Sequence, residues 1–235
     1  MSITFGSLFA GIGGFDLGFE RAGMVCKWQV EIDDYANRVL AKHWPNVRRW
    51  PDVRTWPQSD TERVDVICGG FPCQDISYAG LGAGLAGERS GLFFEAIRVV
   101  RQLRPQIVVL ENVAALLTRG MDRVLGTLAT IGFDAEWHCI PAVELGALHE
   151  RDRIWIVAYA TNDTRFHQSN RWQETRRLPH NRDTWQASPW DEAEPKVCRM
   201  DDGVPNRVDR TARLGNAVVP QIAEWIGQRI VRCLE

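Results

Sequence analysis

The sequence predicts an α/β protein built on a mostly parallel sheet with helices on both faces. Three observations predict it. Through residues 1–160, short β-rich runs alternate with stretches whose apolar residues recur at spacings of three and four. A glycine-rich turn joins the first strand to the first helix, where nucleotide-binding sheets take their ligand. The polar residues most suited to chemistry stand at the carboxyl ends of predicted strands, the edge at which open α/β sheets bind ligands.

The first strand, Ile3 to Phe9, runs into SLFAGIGGFDLGFERAG, which turns through Gly11, Gly13 and Gly14 and continues as an amphipathic helix. Such a turn either lets backbone approach a cofactor closely or is purely structural. Its spacing departs from GxGxxG and no Lys-Ser/Thr pair follows, which favours an adenosyl ligand over a dinucleotide or a triphosphate. The second strand, Lys27 to Glu31, ends in a carboxylate suited to accepting hydrogen bonds from ribose hydroxyls. The third, Val64 to Cys68, leads into GGFPCQDIS and sets Cys73 on a ligand-facing loop. A free thiol is only a few per cent ionised at pH 7, so a nucleophilic Cys73 needs a nearby helix N-terminus or cation. The other cysteines, Cys68 among them, read as core residues.

The stretch SYAGLGAGLAGERSG after Cys73 is glycine-rich enough for a mobile lid, or is simply an irregular loop. A helix follows, with Leu92, Phe93, Ala96, Ile97, Val100 and Leu103 in one stripe ended by Arg104-Pro105. The strand Gln106 to Glu111 delivers Glu111 and Asn112 to the same edge. There Glu111 is either a surface cap or a carboxyl whose pKa burial raises into proton-donor range. Val124, Leu125, Leu128 and Ile131 mark the next helix, ended by Gly132. Strands Ala135 to Ile140 and Ile154 to Ala158 complete the set. Just before the last, Arg151 and Arg153 share a side by alternation, as a solvated edge or as a clamp for an anion or carbonyl oxygen.

Residues 161–210 lose periodicity, and Asn, Asp, Arg, His, Trp and Pro dominate, which predicts a small loop-rich insert. Residues 211–235 return to order in PQIAEWIGQRIVRCLE. Pro220 suits a first helical turn there, and Ile222, Trp225, Ile226, Ile230 and Cys233 follow at helical spacing.

The chain's 235 residues, 45% hydrophobic and 25% charged, suffice for one substantial core. A net charge of -2 excludes nucleic-acid binding through global charge, so any such binding needs a local patch. The six cysteines form no CxxC pair, which argues against a zinc site or a disulfide framework, and no metal is expected. With no basic leader and no apolar segment of about 18 residues, the expected setting is the cytoplasm, away from membranes.

In this order, the segments FAGIGGFDLGFERAG, VEIDDYANRVL, GGFPCQDIS, LENV, RDRIWIVA and RLGNAVVPQIA resemble the cytosine-5 DNA methyltransferase family. The resemblance implies a Rossmann-like S-adenosylmethionine-dependent sheet over residues 1–160. It implies a target-recognition region at 161–210 and a C-terminal segment, 211–235, returning to the catalytic domain. It implies Cys73 as the covalent nucleophile toward cytosine carbon 6, Glu111 at ring nitrogen 3, and Arg151 and Arg153 at the carbonyl oxygen and nearby phosphate. S-adenosyl-L-methionine, leaving as S-adenosyl-L-homocysteine, would meet Phe9, Gly11, Ile12 and Gly13 at its methionine moiety and Glu31 at its ribose. Ile32, Asp52 and Leu92 would meet its adenine, Pro72 the adjoining wall, and Asn216 and Ala217 the returning segment. Double-stranded DNA is the implied substrate, its cytosine flipped from the stack. Its expected contacts are Gln74, Ser77 and Arg89 near the nucleophile and Arg165, Arg171, Arg176, Arg177 and Arg182 in the insert. The insert's cluster, with His167, Trp172 and His180 interleaved, is a phosphate-contacting patch or a solvated loop.

Two departures stand out. The variable region is short for the family, with EPKVCRMDDGVPNRVDR where a family motif is usual, so either a minimal module reads a short or relaxed sequence, or a second copy or a partner subunit supplies missing contacts. Position 149 is His where Gln is common. This compactness resembles phage and prophage members, in a bacterium or the bacterial host of a phage. A tRNA methyltransferase on the same scaffold and a silent DNA-binding homologue are the rival readings.

Overall fold

The computed structural model describes residues 2–57, 60–72, 91–145, 151–163 and 217–235. Among these, seven strands form one sheet: β1 (Thr4–Leu8), β2 (Val25–Val30), β3 (Arg48–Trp50), β4 (Val66–Gly70), β5 (Ile107–Val113), β6 (Phe133–Pro141) and β7 (Asp152–Ala160). Their order is β3-β2-β1-β4-β5-β7-β6. The first five in that order are parallel, while β7 runs antiparallel to both β5 and β6. The winding reverses between β1 and β4, and the crevice at the carboxyl ends of those two strands is where such sheets bind ligands.

Period-two alternation divides each strand between two cores. Phe5, Val66, Cys68, Ile107, Val109, Trp155 and Val157 face helices α1 (Gly14–Arg21) and α6 (Pro220–Leu234). Leu8, Ile67, Val108, Leu110, Ile154 and Ile156 face α3 (Gly91–Leu103) and α5 (Met121–Thr130). The apolar stripes expected of α3, α5 and α6 are those that pack inward, with Phe93, Val124, Leu128, Ile222 and Ile230 fully buried. Helix α2 (Asp34–His43) closes a smaller cluster of Ala10, Leu40 and Trp44, and the single turn α4 (Leu116–Arg119) precedes α5.

Strand β3 is absent from the sequence expectation for a physical reason. Arg48–Trp50 lies at the sheet's edge and shows no apolar alternation; it is held by backbone pairing to β2 and by Arg48 stacking over the Trp50 ring at 4.8 Å. Beyond it, the Asp52 side chain caps a short 3-10 helix, Val53–Thr55. Arg98 of α3 secures that turn by donating to the carbonyls of Val53 and Trp56, both at 2.6 Å.

Candidate active site at the carboxyl edge of the sheet

Residues 9–13 follow β1 and form a tight turn. Phe9 has φ 52°, Gly11 φ 56° and Gly13 φ 90°. A positive φ costs glycine little but is rare and strained for phenylalanine, and such strain gathers at ligand sites. Glu31, just past β2, braces the turn: its carboxylate accepts the amide of Gly11 at 2.7 Å and that of Asp33 at 2.8 Å. Asn37 of α2 donates to the Glu31 backbone carbonyl at 2.7 Å, so α2 also fixes the main chain from which this carboxylate extends. Ile32 beside it is 66% exposed, the most exposed of the large apolar residues described. A Cβ built on Gly11 meets only the Phe9 carbonyl, at 4.0 Å, so the inner side of the turn is open. An open backbone cradle, a carboxylate able to take hydroxyls on its remaining lone pairs and an exposed apolar face fit an adenosyl cofactor.

Two strands away, Glu111 occupies the end of β5. It is buried, and burial raises its pKa to about 7 even though the Arg153 and Arg151 guanidiniums oppose the rise. Arg153 Nε lies 3.0 Å from Glu111 Oε1. This position follows from the ladder, because β7 pairs Arg153 with Val113 and Trp155 with Glu111. Arg151, just before β7, donates to the carbonyl of Ala217, tying the start of β7 to the segment that enters α6. Both expected arginines are thus gathered at Glu111.

Asn112, 2% exposed, donates to the Phe71 carbonyl at 3.2 Å and so anchors the chain entering Pro72. Pro72 is half-buried, and Leu92 in the first turn of α3 packs beside the core. Asp52 faces its own neighbour: Arg54 grips the carboxylate with Nε at 3.0 Å and Nη2 at 2.8 Å and holds its pKa below the usual carboxylate range. Cys73, Gln74, Ser77, Arg89, Arg165, Arg171, Arg176, Arg177, Arg182 and Asn216 lie outside the described residues.

Three of the four described cysteines offer no rival nucleophile. Cys26 and Cys68 are buried, and burial pushes both thiols well above their ordinary range. Cys139 is exposed, but partial burial of its thiol and the Asp152 charge push its pKa up too. Two contributors went unrecognised in the sequence. A Cβ on Gly70 would stand 3.0 Å from Glu111 Oε2, so the second glycine of GGFPC makes room for the carboxyl. Asp16 in α1 is completely buried beneath the glycine turn, although a carboxylate near the start of an amphipathic helix reads as solvated surface.

A sheet in this strand order, with one antiparallel strand next to β5 and a carboxylate-braced glycine turn after β1, defines the class of S-adenosylmethionine-dependent methyltransferases. Within that class the chain belongs to the C-5 cytosine-specific DNA methylases, whose family model matches residues 3–197. It is 38% identical over 158 residues to the type II methyltransferase M.Eco47II of Escherichia coli, covering 64% of this chain and 38% of that one. With M.NgoBI of Neisseria gonorrhoeae the identity is 34% over 159 residues, covering 66% and 50%. Among solved structures, a DNA modification methyltransferase encoded within an E. coli prophage superposes with a TM-score of 0.58 at 25% identity, covering 68% of this chain and 47% of that one. The chain therefore spans half or less of the length of these relatives.

Proposed function

We propose that this chain methylates carbon 5 of cytosine in double-stranded DNA, with Cys73 as nucleophile. The observation that carries the reading is Glu111, a buried carboxyl with a pKa near 7, held 3.0 Å from Arg153 at the ligand edge of the sheet. Cytosine carbon 5 is too weak a nucleophile to take a methyl group unaided. Addition of the Cys73 thiolate to carbon 6 moves the ring's π electrons toward carbon 5 and solves this. Protonated Glu111 donates to ring nitrogen 3 and offsets the charge that the addition builds, while Arg153, with Arg151 behind it, binds the carbonyl oxygen at position 2. Loss of the carbon-5 proton then expels the thiolate and restores the aromatic ring.

S-adenosyl-L-methionine, when bound, supplies an electrophilic methyl group on sulfur. Phe9, Gly11, Ile12 and Gly13 hold its methionine end, Glu31 its ribose, and Ile32, Asp52 and Leu92 its adenine. Pro72, Asn216 and Ala217 close the remaining sides. For Asp52 to take the adenine amino group, Arg54 must yield part of its grip. Gln74, Ser77, Arg89 and the insert's five arginines contact DNA, and a second copy or a partner subunit extends that surface. The protein acts in the cytoplasm of a bacterium, as part of a restriction-modification or phage system.

The test is covalent trapping. Duplex DNA containing 5-fluorocytosine lacks the carbon-5 proton that must leave, so the adduct persists. A cofactor-dependent complex stable to denaturation is expected for the wild type and not for Cys73→Ala. Failure to trap on diverse duplexes would favour a silent DNA-binding homologue, and methyl label entering tRNA alone would replace DNA as the substrate.

A further inference from the structure

The glycine turn and Glu31 sit at the ends of two different strands, and a third element, α1, leaves the turn. The only fully buried carboxyl among the described residues joins all three. Asp16, in the first turn of α1, accepts hydrogen bonds from Gln29 Nε2 of β2 at 2.7 Å, from Ser7 Oγ of β1 at 3.1 Å and from Cys26 Sγ of β2 at 3.5 Å. Ser7 stands two residues before Phe9, and Gln29 two residues before Glu31. Arg49 extends the network from β3, with Nη1 3.4 Å from Gln29 Oε1.

We propose that Asp16 is a positioning residue for the cofactor: its ionised carboxyl locks β1, β2 and α1 in the one arrangement that aligns the 9–13 turn with Glu31. The inference rests on the cofactor reading above. A carboxylate there is costly to bury, and for stability alone a neutral side chain of similar shape would serve as well or better. Burial raises the Asp16 pKa to about 6, against the opposing hydrogen bonds from Gln29, Ser7 and Cys26. The other titratable groups nearby are the Cys26 and Cys68 thiols, with Glu20 of α1 acting on Cys26; both thiols stay protonated across the range that matters. The facing helix α6 contributes Glu224, which pairs with Arg21 of α1 at 3.8 Å. Asp16 is therefore the member of the cluster that changes charge between pH 5 and 7. Protonation turns one acceptor oxygen into a donor and breaks the three-way tie.

The experiment measures binding of S-adenosyl-L-homocysteine by calorimetry from pH 5 to 8, with thermal midpoints recorded alongside. If only the ionised form binds well, the wild-type Kd rises roughly tenfold between pH 7.5 and pH 5, with the break near 6. Asp16→Asn should bind about tenfold more weakly at pH 7.5, lose the break at 6, and melt at or above the wild-type temperature at pH 8. Ser7→Ala removes one donor from the carboxylate and should move the break upward. Wild-type affinity in Asp16→Asn, or a break near 6 that survives there, would overturn the proposal. If Asp16→Asn does not fold, an unmoved break in Ser7→Ala overturns it. A wild type that binds at no pH overturns the cofactor reading instead.

Discussion

Glu111 carries the sharpest consequence at the scale of single residues. With its pKa near 7 it is protonated below neutrality and ionised above, so the form that donates to a base is lost as pH rises through 7. The alkaline limb of kcat/KM should break near 7, and Glu111→Gln should abolish that limb while lowering the rate by about 10²- to 10⁴-fold. A wild-type rate that rises steadily to pH 9 would contradict the assignment. Linkage runs the same way: the folded state holds an extra proton between the ordinary Glu range and 7, so this residue's contribution to stability falls as pH climbs through that window. Gly70 supplies a second test. The methyl of Gly70→Ala would stand 3.0 Å from Glu111 Oε2 and displace the carboxyl, so the variant should keep cofactor affinity yet lose turnover. Equal losses in both would show that the glycine supports the fold rather than the carboxyl. Cys73 stands out as a nucleophile candidate from its place in the sequence, whereas the reason for Gly70 is a distance to a residue 41 positions along the chain, in another strand.

Among the elements, the contact between α1 and α6 sets the back of the site. A Cβ on Gly14 would lie 2.3 Å from the Val218 carbonyl, and one on Gly18 would lie 2.4 Å from the Pro220 carbonyl and 2.5 Å from Ala223 Cβ. Backbone and methyl groups cannot swing away, so Gly18→Ala must force the helices apart. It should cost about 1–3 kcal/mol in a denaturant titration. Because Val218 leads directly from Ala217, whose carbonyl Arg151 holds, the same variant should weaken cofactor binding as well. A variant as stable as wild type would mean that α6 shifts freely. The sequence shows α6 as a helix and α1 as amphipathic, because 3.6-residue periodicity is a local property. It does not show that they face each other, since small residues carry no periodic signal. Strand β3 escaped for a related reason: its pairing is backbone to backbone, and Arg48–Trp50 has no apolar alternation to betray it. Asp16 is not legible because amphipathic patterning assigns charge to the water-facing side, and here a polar cluster inside the sheet receives it.

For the whole molecule, the reversed strand β7 governs how the insert can be attached. It begins at the active edge, where Arg151 meets Ala217, and ends at Ala160, opposite Phe133. At about 3.4 Å per residue it carries the chain roughly 27 Å from the site before residues 164–216 begin. That stretch must return to Ala217, so part of an already short insert is needed merely to come back. Replacing residues 164–216 with Gly/Ser linkers of different lengths tests this geometry. Five residues span at most about 18 Å and cannot close the gap without unseating α6. About 30 residues have an end-to-end distance near 30 Å and can. The longer-linker chain should fold, keep its thermal midpoint within a few degrees and still bind S-adenosyl-L-homocysteine, less tightly for the loss of Asn216, while losing DNA affinity and the salt dependence that phosphate contacts confer. The five-residue version should melt far lower. Comparable stability of the two would place Ala217 away from the start of β7, and DNA binding that survives in the longer version with unchanged salt dependence would move the phosphate contacts from the insert's arginines to the catalytic sheet.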